Sequence, residues 1–293
     1  MSDDPVTPSE IERRLERGQV VEYPVCPFAL PQGDDMVFLL EQRLASRAHK
    51  NVSYDPRRDK ASGFLRQSPE QAERLRALLA SFARTVTRWL ADTLPRYAAA
   101  WKPDMVSYRP LEEATRKLRL KARNDLLHVD AFPTRPTNGW RILRCFVNVN
   151  PSEPRVWVTS DPFVRLLERY GAAAGLPGGH GVGWVRRVQN GVLRLFQPGR
   201  PTRSAYDAFM LRLHDYLKAD EDFQERGSKH FWKFPPGGAW LAITDTCSHA
   251  VLRGRFALEH SYFLAPESLA LPDESPAALL AQACGRAVLE PAA

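Results

Sequence analysis

From residue 117 onward the chain breaks up into short apolar runs that alternate with turn-forming segments rich in Pro and Gly. Alternation of apolar and polar residues over about four to eight positions is typical of half-buried strands. Such runs lie at 118–122, 126–132, 141–149, 155–159, 192–196, 231–234, 239–244 and 257–264. Many short strands after a helical start predict an antiparallel barrel or a double-sheet roll flanked by helices.

The part of the chain before these runs is predicted to be mainly helical. Ser68, Pro69 and Gln71 mark a helix start, with a capping Ser, Pro at the first helical position and Gln three residues after the cap. Apolar residues then recur at three- and four-residue spacing up to about Pro95, so one face of this helix is expected to pack on a core. The charged segment 51–67 is expected to be a loop. Three further helices are predicted, at 35–48, 162–171 and 206–220.

These patterns predict an α+β protein with a double-stranded β-helix core of the jelly-roll or cupin type. Residues 1–115 are expected to form a helical N-terminal region packed on the core. Residues 116–268 would form the double-stranded β-helix core with a helical insert, and 269–293 a C-terminal tail. No apolar run approaches the roughly 20 residues that cross a bilayer, and the N-terminus does not look like a secretory signal. A cytoplasmic location is therefore expected.

The chain is basic, with 41 Lys and Arg against 34 Asp and Glu, a formal net charge of +7 and a pI near 9.4. This charge predicts an anionic partner without identifying it. The positive residues are interspersed with acids and follow no RNA-binding or helix-turn-helix pattern, so nucleic acid is not the expected partner. The four cysteines lie far apart and are expected to be reduced, which argues against a cysteine-based zinc site.

The heptad 126–132, Leu-Leu-His-Val-Asp-Ala-Phe, is the most informative segment for chemistry. On a strand, residues two apart point to the same face, so His128 and Asp130 would project together as adjacent metal ligands. With a second His they would make the facial triad of a non-haem iron(II) oxygenase, which leaves positions open for co-substrate and oxygen. H-x-D alone is a weak pattern, because a hydrogen-bonded His–Asp pair on a strand has the same spacing.

The third ligand is expected to be a His on a late strand. His249 follows an apolar run and precedes a predicted turn into the last strand, which is the order that a double-stranded β-helix oxygenase needs. His260 is the second candidate. His180 lies in a Gly-rich segment, His214 in a predicted helix and His230 in a predicted loop, so these three are less suited to a fixed ligand.

Binding of 2-oxoglutarate requires a cation for its distal carboxylate, and arginine suits this because its planar fork grips a carboxylate with two hydrogen bonds. Two arginines qualify. Arg144 lies inside an apolar strand-like run, where alternation puts it on the same face as Phe146 and Asn148, and Asn148 is expected to add a hydrogen bond. Arg255 opens the last strand. Each of these arginines could equally be a surface residue of a basic protein.

Two stretches of the chain resemble the Kdo hydroxylase family of bacterial lipopolysaccharide assembly. One runs from Arg123 to Trp157 and contains the H-x-D, and the other is Thr244-Asp-Thr-Cys-Ser-His249-Ala-Val-Leu. The resemblance implies a dioxygenase that uses iron(II), 2-oxoglutarate and O2, with ascorbate as an activator. It implies hydroxylation of the third carbon of 3-deoxy-D-manno-oct-2-ulosonic acid (Kdo) linked to lipid A, which gives D-glycero-D-talo-oct-2-ulosonic acid (Ko).

The implied substrate carries a carboxylate and phosphates, which agrees with a basic protein. Arg135, Arg141 and Arg155 are expected to bind these anions, although a solvated surface position is an equal alternative for each. The enzyme is expected to act peripherally at the cytoplasmic face of the inner membrane. Three alternatives remain: an oxygenase for another anionic substrate, a zinc hydrolase with the same ligands but no H-E-x-x-H pattern to supply a general base, and a basic nucleic-acid-binding module.

Overall fold

The computed structural model describes residues 7–46, 49–116, 118–176 and 203–289. The predicted strand at 192–196 and the candidate ligand His180 lie outside these ranges.

In the described residues, helices and strands are interspersed along the whole chain and do not form a helical half followed by a strand half. The helices are α1 (Pro8–Glu16), α2 (Gly33–Glu41), α3 (Pro69–Thr93), α4 (Pro95–Ala98), α5 (Phe163–Tyr170), α6 (Ala205–Ala219), α7 (Glu221–Arg226) and α8 (Pro276–Cys284). The strands are β1 (Val21–Tyr23), β2 (Val52–Asp55), β3 (Lys60–Ser62), β4 (Lys102–Arg109), β5 (Arg141–Asn148), β6 (Arg155–Pro162), β7 (His230–Phe234), β8 (Ala239–Ile243), β9 (Cys247–Arg253) and β10 (Ala257–Leu264).

The strands form two antiparallel sheets. The larger has the order β1-β8-β5-β10-β4-β2-β3, and the smaller has the order β7-β6-β9. Their inner faces meet through aromatic side chains: Phe146 of β5 packs against Trp157 of β6 at 4.7 Å between centroids, and Phe234 of β7 stacks on Trp240 of β8 at 3.9 Å. The fold is therefore the predicted double-sheet roll, which confirms the α+β class with a jelly-roll core.

Helices cover both outer faces of the roll. The apolar face of α3, including Leu79 and Val86, joins the same buried cluster as Leu143 of β5 and Leu258 of β10. A second cluster connects α5, α6, α7 and α8 with Val158 of the smaller sheet. The chain is thus a layered α/β/β/α arrangement with its sheet-to-sheet interior held between two helical layers. No helix in the described ranges is long and apolar enough to cross a bilayer.

The helix start at Ser68 is confirmed. The Ser68 hydroxyl accepts a hydrogen bond from the Gln71 amide at 3.2 Å, and the helix ends at Thr93, close to the predicted Pro95. The predicted helices near 162–171 and 206–220 are also present as α5 and α6.

Several predicted elements differ from the structure. The segment 51–67 contains the β2–β3 hairpin instead of a loop, and 118–122 holds a 3-10 turn (Leu120–Ala122) instead of a strand. The helix predicted at 35–48 ends at Glu41. Residues 1–115 also contribute four strands to the larger sheet, including β4 next to β10. These strands are short or carry many charges, so their apolar alternation is weak.

The turn predicted after His249 is misplaced. His249 lies inside β9, which continues to Arg253, and the turn begins at Gly254. Gly254 has a φ of +114°, and a Cβ there would come within 2.8 Å of the Arg155 Cα. The turn therefore needs Gly254 both for its backbone conformation and for the close approach of β6.

Candidate metal centre

His128 and His249 lie directly opposite each other on neighbouring extended segments. The His128 amide donates to the His249 carbonyl at 3.2 Å, and the His249 amide donates back to the His128 carbonyl at 2.9 Å. Residues that face each other in this way present their side chains on the same side of the sheet. Their ring centroids are 4.7 Å apart. The segment around His128 pairs through this single bridge and is not part of a regular strand.

Asp130 joins the two histidines through the alternation predicted for the heptad. Leu127 and Val129 turn outward into the helix-covered cluster, so His128 and Asp130 point inward together. The Asp130 amide is fixed by a 2.8 Å hydrogen bond to the Thr244 carbonyl. The side chains of His128, Asp130 and His249 offer ligand atoms that all lie within 4.8 Å of one another. This distance suits three ligands of one metal ion.

The two imidazoles are held in the form that binds a metal. Nδ1 of His128 lies 2.7 Å from the Leu126 carbonyl, and Nδ1 of His249 lies 2.9 Å from the Cys247 carbonyl. A carbonyl only accepts hydrogen bonds, so Nδ1 carries the proton and the Nε2 lone pair is free. Burial lowers the pKa of both histidines and keeps them neutral. The donor set therefore fits a divalent ion.

Arg144 stabilises the carboxylate of Asp130. Its guanidinium lies 2.8 Å from Asp130 Oδ2 and also contacts Glu259. Burial alone would raise the pKa of Asp130, but the adjacent Arg144 guanidinium outweighs it and, with a hydrogen bond from the Thr244 side chain, holds that pKa well below its usual range. Asp130 is thus an anion at any physiological pH. Arg109 pairs with the other oxygen of Glu259 at 2.9 Å and extends this ion-pair chain.

Two further rings fix the orientation of the histidine ligands. Trp157 stacks on His249, with centroids 5.2 Å apart and an interplanar angle of 19°. His214 of α6 meets His128 edge-on at 5.0 Å, and its Nδ1 lies 2.7 Å from the Val129 carbonyl. The sequence assigned His214 to a helix but gave no indication of this contact, because it joins positions 86 residues apart, at 128 and 214.

A cavity of about 650 Å³, here called the outer cavity, opens in front of His128 and Asp130. Its walls come from β2, β4, β5 and β10, from α6 and from the loop 119–135. Seven cations line it: Lys50, Arg109, Arg119, Lys121, Arg135, Arg144 and Lys218. Among the residues that the structure describes, three carboxylates line it: Asp104, Asp130 and Glu259. This excess of positive charge favours an anionic ligand.

A smaller space of about 30 Å³, here called the inner pocket, lies behind the metal site. It reaches from His249 and Asp130 to Arg155, beside the rings of Phe146 and Trp157. A pocket of this volume has room for about two water-sized groups. That is the space which the two oxygens of a carboxylate need.

Arg155 lies at the inner pocket and is 1% exposed. It donates to the Gly254 carbonyl at 2.7 Å, and its Nε has no hydrogen-bond partner among the described residues. Burial lowers its pKa to about 10. A buried guanidinium without a carboxylate partner is costly, and a bound carboxylate would relieve that cost.

The other predicted co-substrate and substrate residues are more scattered. Asn148 is fully buried and its amide donates to the Glu153 and Phe234 carbonyls, so it bonds to the backbone. Arg255 lies over the Phe256 ring at 3.9 Å and lines neither the outer cavity nor the inner pocket. Arg141 is fully buried, paired with Asp245 at 2.7 Å, and also lines neither space.

Arg135 lines the outer cavity, where Asp104 pairs with it at 2.7 Å, and its binding of a substrate anion stays a prediction. His260, the second candidate ligand, points to the opposite side of β10, where its Nδ1 lies 2.6 Å from the Tyr262 hydroxyl. It cannot reach the metal site. The four cysteines are free.

A double-sheet roll that presents two His and one Asp to an open cavity is the architecture of non-haem iron(II) oxygenases. Comparison with known proteins narrows this class. The family model of the 3-deoxy-D-manno-oct-2-ulosonic acid (Kdo) hydroxylases matches residues 2–287. No curated protein sequence matches the chain.

The fold is similar to crystal structures of the Kdo hydroxylase KdoO, a non-haem Fe(II) α-ketoglutarate-dependent dioxygenase. Its complex with α-ketoglutarate and Fe(III) superposes with a TM-score of 0.84 at 31% identity, over 96% of this chain and 91% of that one. The cobalt(II) complex gives 0.85 at 32% identity, over 97% and 92%. The chain belongs to the Kdo hydroxylase family and is an Fe(II)/2-oxoglutarate-dependent dioxygenase.

Proposed function

We propose that the chain hydroxylates the third carbon of a Kdo residue linked to lipid A, with iron(II) held by His128, Asp130 and His249. The observation that carries this proposal is the facial triad itself, which opens onto a strongly cationic cavity in a member of the Kdo hydroxylase family. Kdo contributes a carboxylate and lipid A contributes phosphates, so the substrate and the cavity are complementary in charge.

The residues of the chain have separate tasks in this reaction. Bound iron(II), together with 2-oxoglutarate and O2, supplies the oxidation that replaces C–H by C–OH and yields succinate and carbon dioxide. Arg144 keeps Asp130 ionised and oriented. Trp157 and His214 hold the two imidazoles by ring contacts. These contacts fix the ligands before any substrate enters.

Arg155 is the arginine that we assign to the distal carboxylate of 2-oxoglutarate, in place of Arg144 and Arg255. Arg144 is already paired with Asp130 and Glu259, and Arg255 lines neither space. Arg155 is buried beside His249 at the inner pocket and has donor capacity left over. Its guanidinium is thus available to pair with the second carboxylate of this five-carbon diacid.

The lipid part of the substrate requires access from a membrane surface. The outer cavity is bordered by Arg119 and Lys121, both exposed, and Leu120 between them is 44% exposed. Cations beside an exposed apolar residue favour contact with an anionic bilayer. This supports peripheral docking with the cavity entrance toward the lipid, as expected for the cytoplasmic face of the inner membrane.

Docking can be tested by binding to vesicles that contain anionic lipid, at low and at high salt. Arg119→Glu and Lys121→Glu are expected to weaken binding, whereas Arg165→Glu, an exposed site on α5, is not. Binding that does not weaken with salt would contradict electrostatic docking.

The proposed reaction is tested with purified protein, iron(II), ascorbate, 2-oxoglutarate and Kdo-bearing lipid A. Mass spectrometry is expected to show a gain of one oxygen on the Kdo fragment, with one succinate formed for each product. Asp130→Ala should abolish both, and His230→Ala, which changes an exposed histidine of β7, should retain them. Succinate without a hydroxylated glycolipid would reject this substrate and retain the oxygenase class.

A further inference from the structure

We propose that Lys50 and Lys218 together form the subsite for the carboxylate of the Kdo residue, an inference that rests on the proposed function. Lys50 stands just before β2 and Lys218 stands in the last turn of α6, so they enter the outer cavity from separate elements. Neither position follows from any sequence pattern. Both lysines are identified by their place in the outer cavity, their burial and the charges around them.

Within the described parts of the chain, the ion pairs around the outer cavity leave these two lysines without a carboxylate partner. Asp104 pairs with Arg135, Asp130 with Arg144, and Glu259 with both Arg109 and Arg144. Lys121 at the entrance pairs with Asp215 at 2.5 Å. Every carboxylate that lines the cavity is therefore engaged by an arginine.

Among the described residues, Lys50, Lys218 and Arg119 are the cavity cations that lack an ion-pair partner. Arg119 is exposed at the entrance, where water and salt screen its charge. Lys218 is only 3% exposed, and Lys50 is half-buried. A bound anion would therefore stabilise the buried Lys218 and the half-buried Lys50 more than the exposed Arg119.

The ammonium group of Lys218 can donate further hydrogen bonds. Its ammonium donates to the Lys121 carbonyl at 3.1 Å, which uses one of its three protons. Burial lowers the pKa of Lys218 to about 8, and repulsion from Lys50 adds to this effect. Burial likewise lowers the pKa of Lys50. An anion between the two ammonium groups would remove both the repulsion and part of the desolvation cost.

The position of Lys218 relative to the metal ligands matches the chemistry of Kdo. Lys218 lies four residues after His214 on α6, so both side chains are on one face, about 6 Å apart along the helix axis. His214 touches the ring of His128. In Kdo the carbon to be hydroxylated is separated from the carboxylate carbon by a single carbon. A carboxylate held one helical turn from His214, the residue that touches the metal ligand His128, would therefore place the third carbon on the metal side of the cavity.

The lipid A phosphates are a poorer match for this subsite. They belong to the lipid A sugars beyond the glycosidic bond, many bonds farther from the reacting carbon than the Kdo carboxylate is. The exposed cations at the entrance, Arg119 and Lys121, are better placed to meet them.

The test compares two small ligands that differ only in this carboxylate: the methyl glycoside of Kdo and its carboxamide. Binding is measured by calorimetry on protein loaded with cobalt(II) and 2-oxoglutarate, so that the ligand is not consumed. Wild-type protein is expected to prefer the carboxylate by about 10- to 100-fold. Lys50→Met and Lys218→Met should each reduce this preference and leave carboxamide binding within about twofold of wild type.

Lys60→Met, on the exposed β3 strand of the same sheet, is the matched control and should keep the full preference. Unchanged cobalt stoichiometry and unchanged 2-oxoglutarate binding would show that the lysine variants are folded. Equal loss for both ligands, or no loss for either, overturns the carboxylate subsite, and so does a wild-type protein that binds neither.

The same variants distinguish phosphate from carboxylate. If they bind the methyl glycoside normally but lose affinity for Kdo-bearing lipid A, the lysines contact phosphate and the assignment is wrong. Failure of the proposed function is a different result: wild-type protein that adds no oxygen to Kdo-bearing lipid A, whatever the two small ligands do.

Discussion

The guanidinium of Arg144 lies 2.8 Å from the carboxylate of Asp130 and also contacts Glu259 of β10. One arginine thus joins the metal-ligand loop to the larger sheet through two ion pairs, in a place from which solvent is largely excluded. A ligand carboxylate fixed in this way is ionised and oriented before the metal binds.

Arg144→Met is therefore expected to weaken metal binding by about 10- to 100-fold, the usual cost of losing a residue that orients a ligand. Equilibrium dialysis against cobalt(II) measures this affinity. Arg255→Met serves as the control, because Arg255 packs over Phe256 and lies away from the site. Equal cobalt affinity in wild-type protein and the Arg144 variant would show that the ion pair does not position Asp130.

The sequence predicts which face of β5 carries Arg144, but it does not predict that Glu259 is the ion-pair partner of Arg144. Alternation along β5 correctly puts Arg144 on the inner face with Phe146. Glu259, however, is 115 residues away and meets Arg144 only because β10 pairs with β5. For the same reason the sequence assigns Arg155 to the anions of the substrate, whereas the structure puts it, buried, at the inner pocket.

Arg155→Met is expected to raise the KM for 2-oxoglutarate while substrate affinity changes little. Removing one partner of a buried, hydrogen-bonded charge pair costs about 2–5 kcal/mol, or at least about a 30-fold rise. Succinate formation at varied 2-oxoglutarate gives the KM, and Arg253→Met, an exposed neighbour on β9, is the control. A large effect in Arg255→Met with none in Arg155→Met would return the role to Arg255.

The core of the roll was more predictable than its edges. The buried runs of β5, β8 and β10 and the capped helix α3 have strong periodicity, and their positions were close to those found. The edge hairpin β2–β3 is short and polar, and it forms because β2 can pair with β4. That pairing is a property of the whole sheet and leaves little trace in the local sequence.

Burial of His260 is expected to make the free energy of unfolding depend measurably on pH. Burial lowers its pKa to about 3, whereas an unfolded His titrates near 6.5. Between these values the unfolded state binds the proton and the folded state does not, so the free energy of unfolding falls as the pH falls. The contribution is about 1.4 kcal/mol per pH unit.

Urea unfolding of metal-free protein at pH 4, 5 and 6 can detect this contribution. His260→Gln removes the titrating group, so its stability should fall less steeply with acid than that of wild-type protein. Parallel slopes for the two proteins would mean that His260 is protonated in the folded state and that its burial does not control its charge.

The most direct test of the account is the metal content of single-histidine variants. Wild-type protein dialysed anaerobically against iron(II) is expected to retain one iron per chain, and His128→Ala and His249→Ala should each lose most of it. His260→Ala, which removes a buried histidine from the opposite side of β10, should retain its iron if the variant folds. Full iron content in the His128 or His249 variant, or its loss in the His260 variant alone, would contradict the metal centre described here.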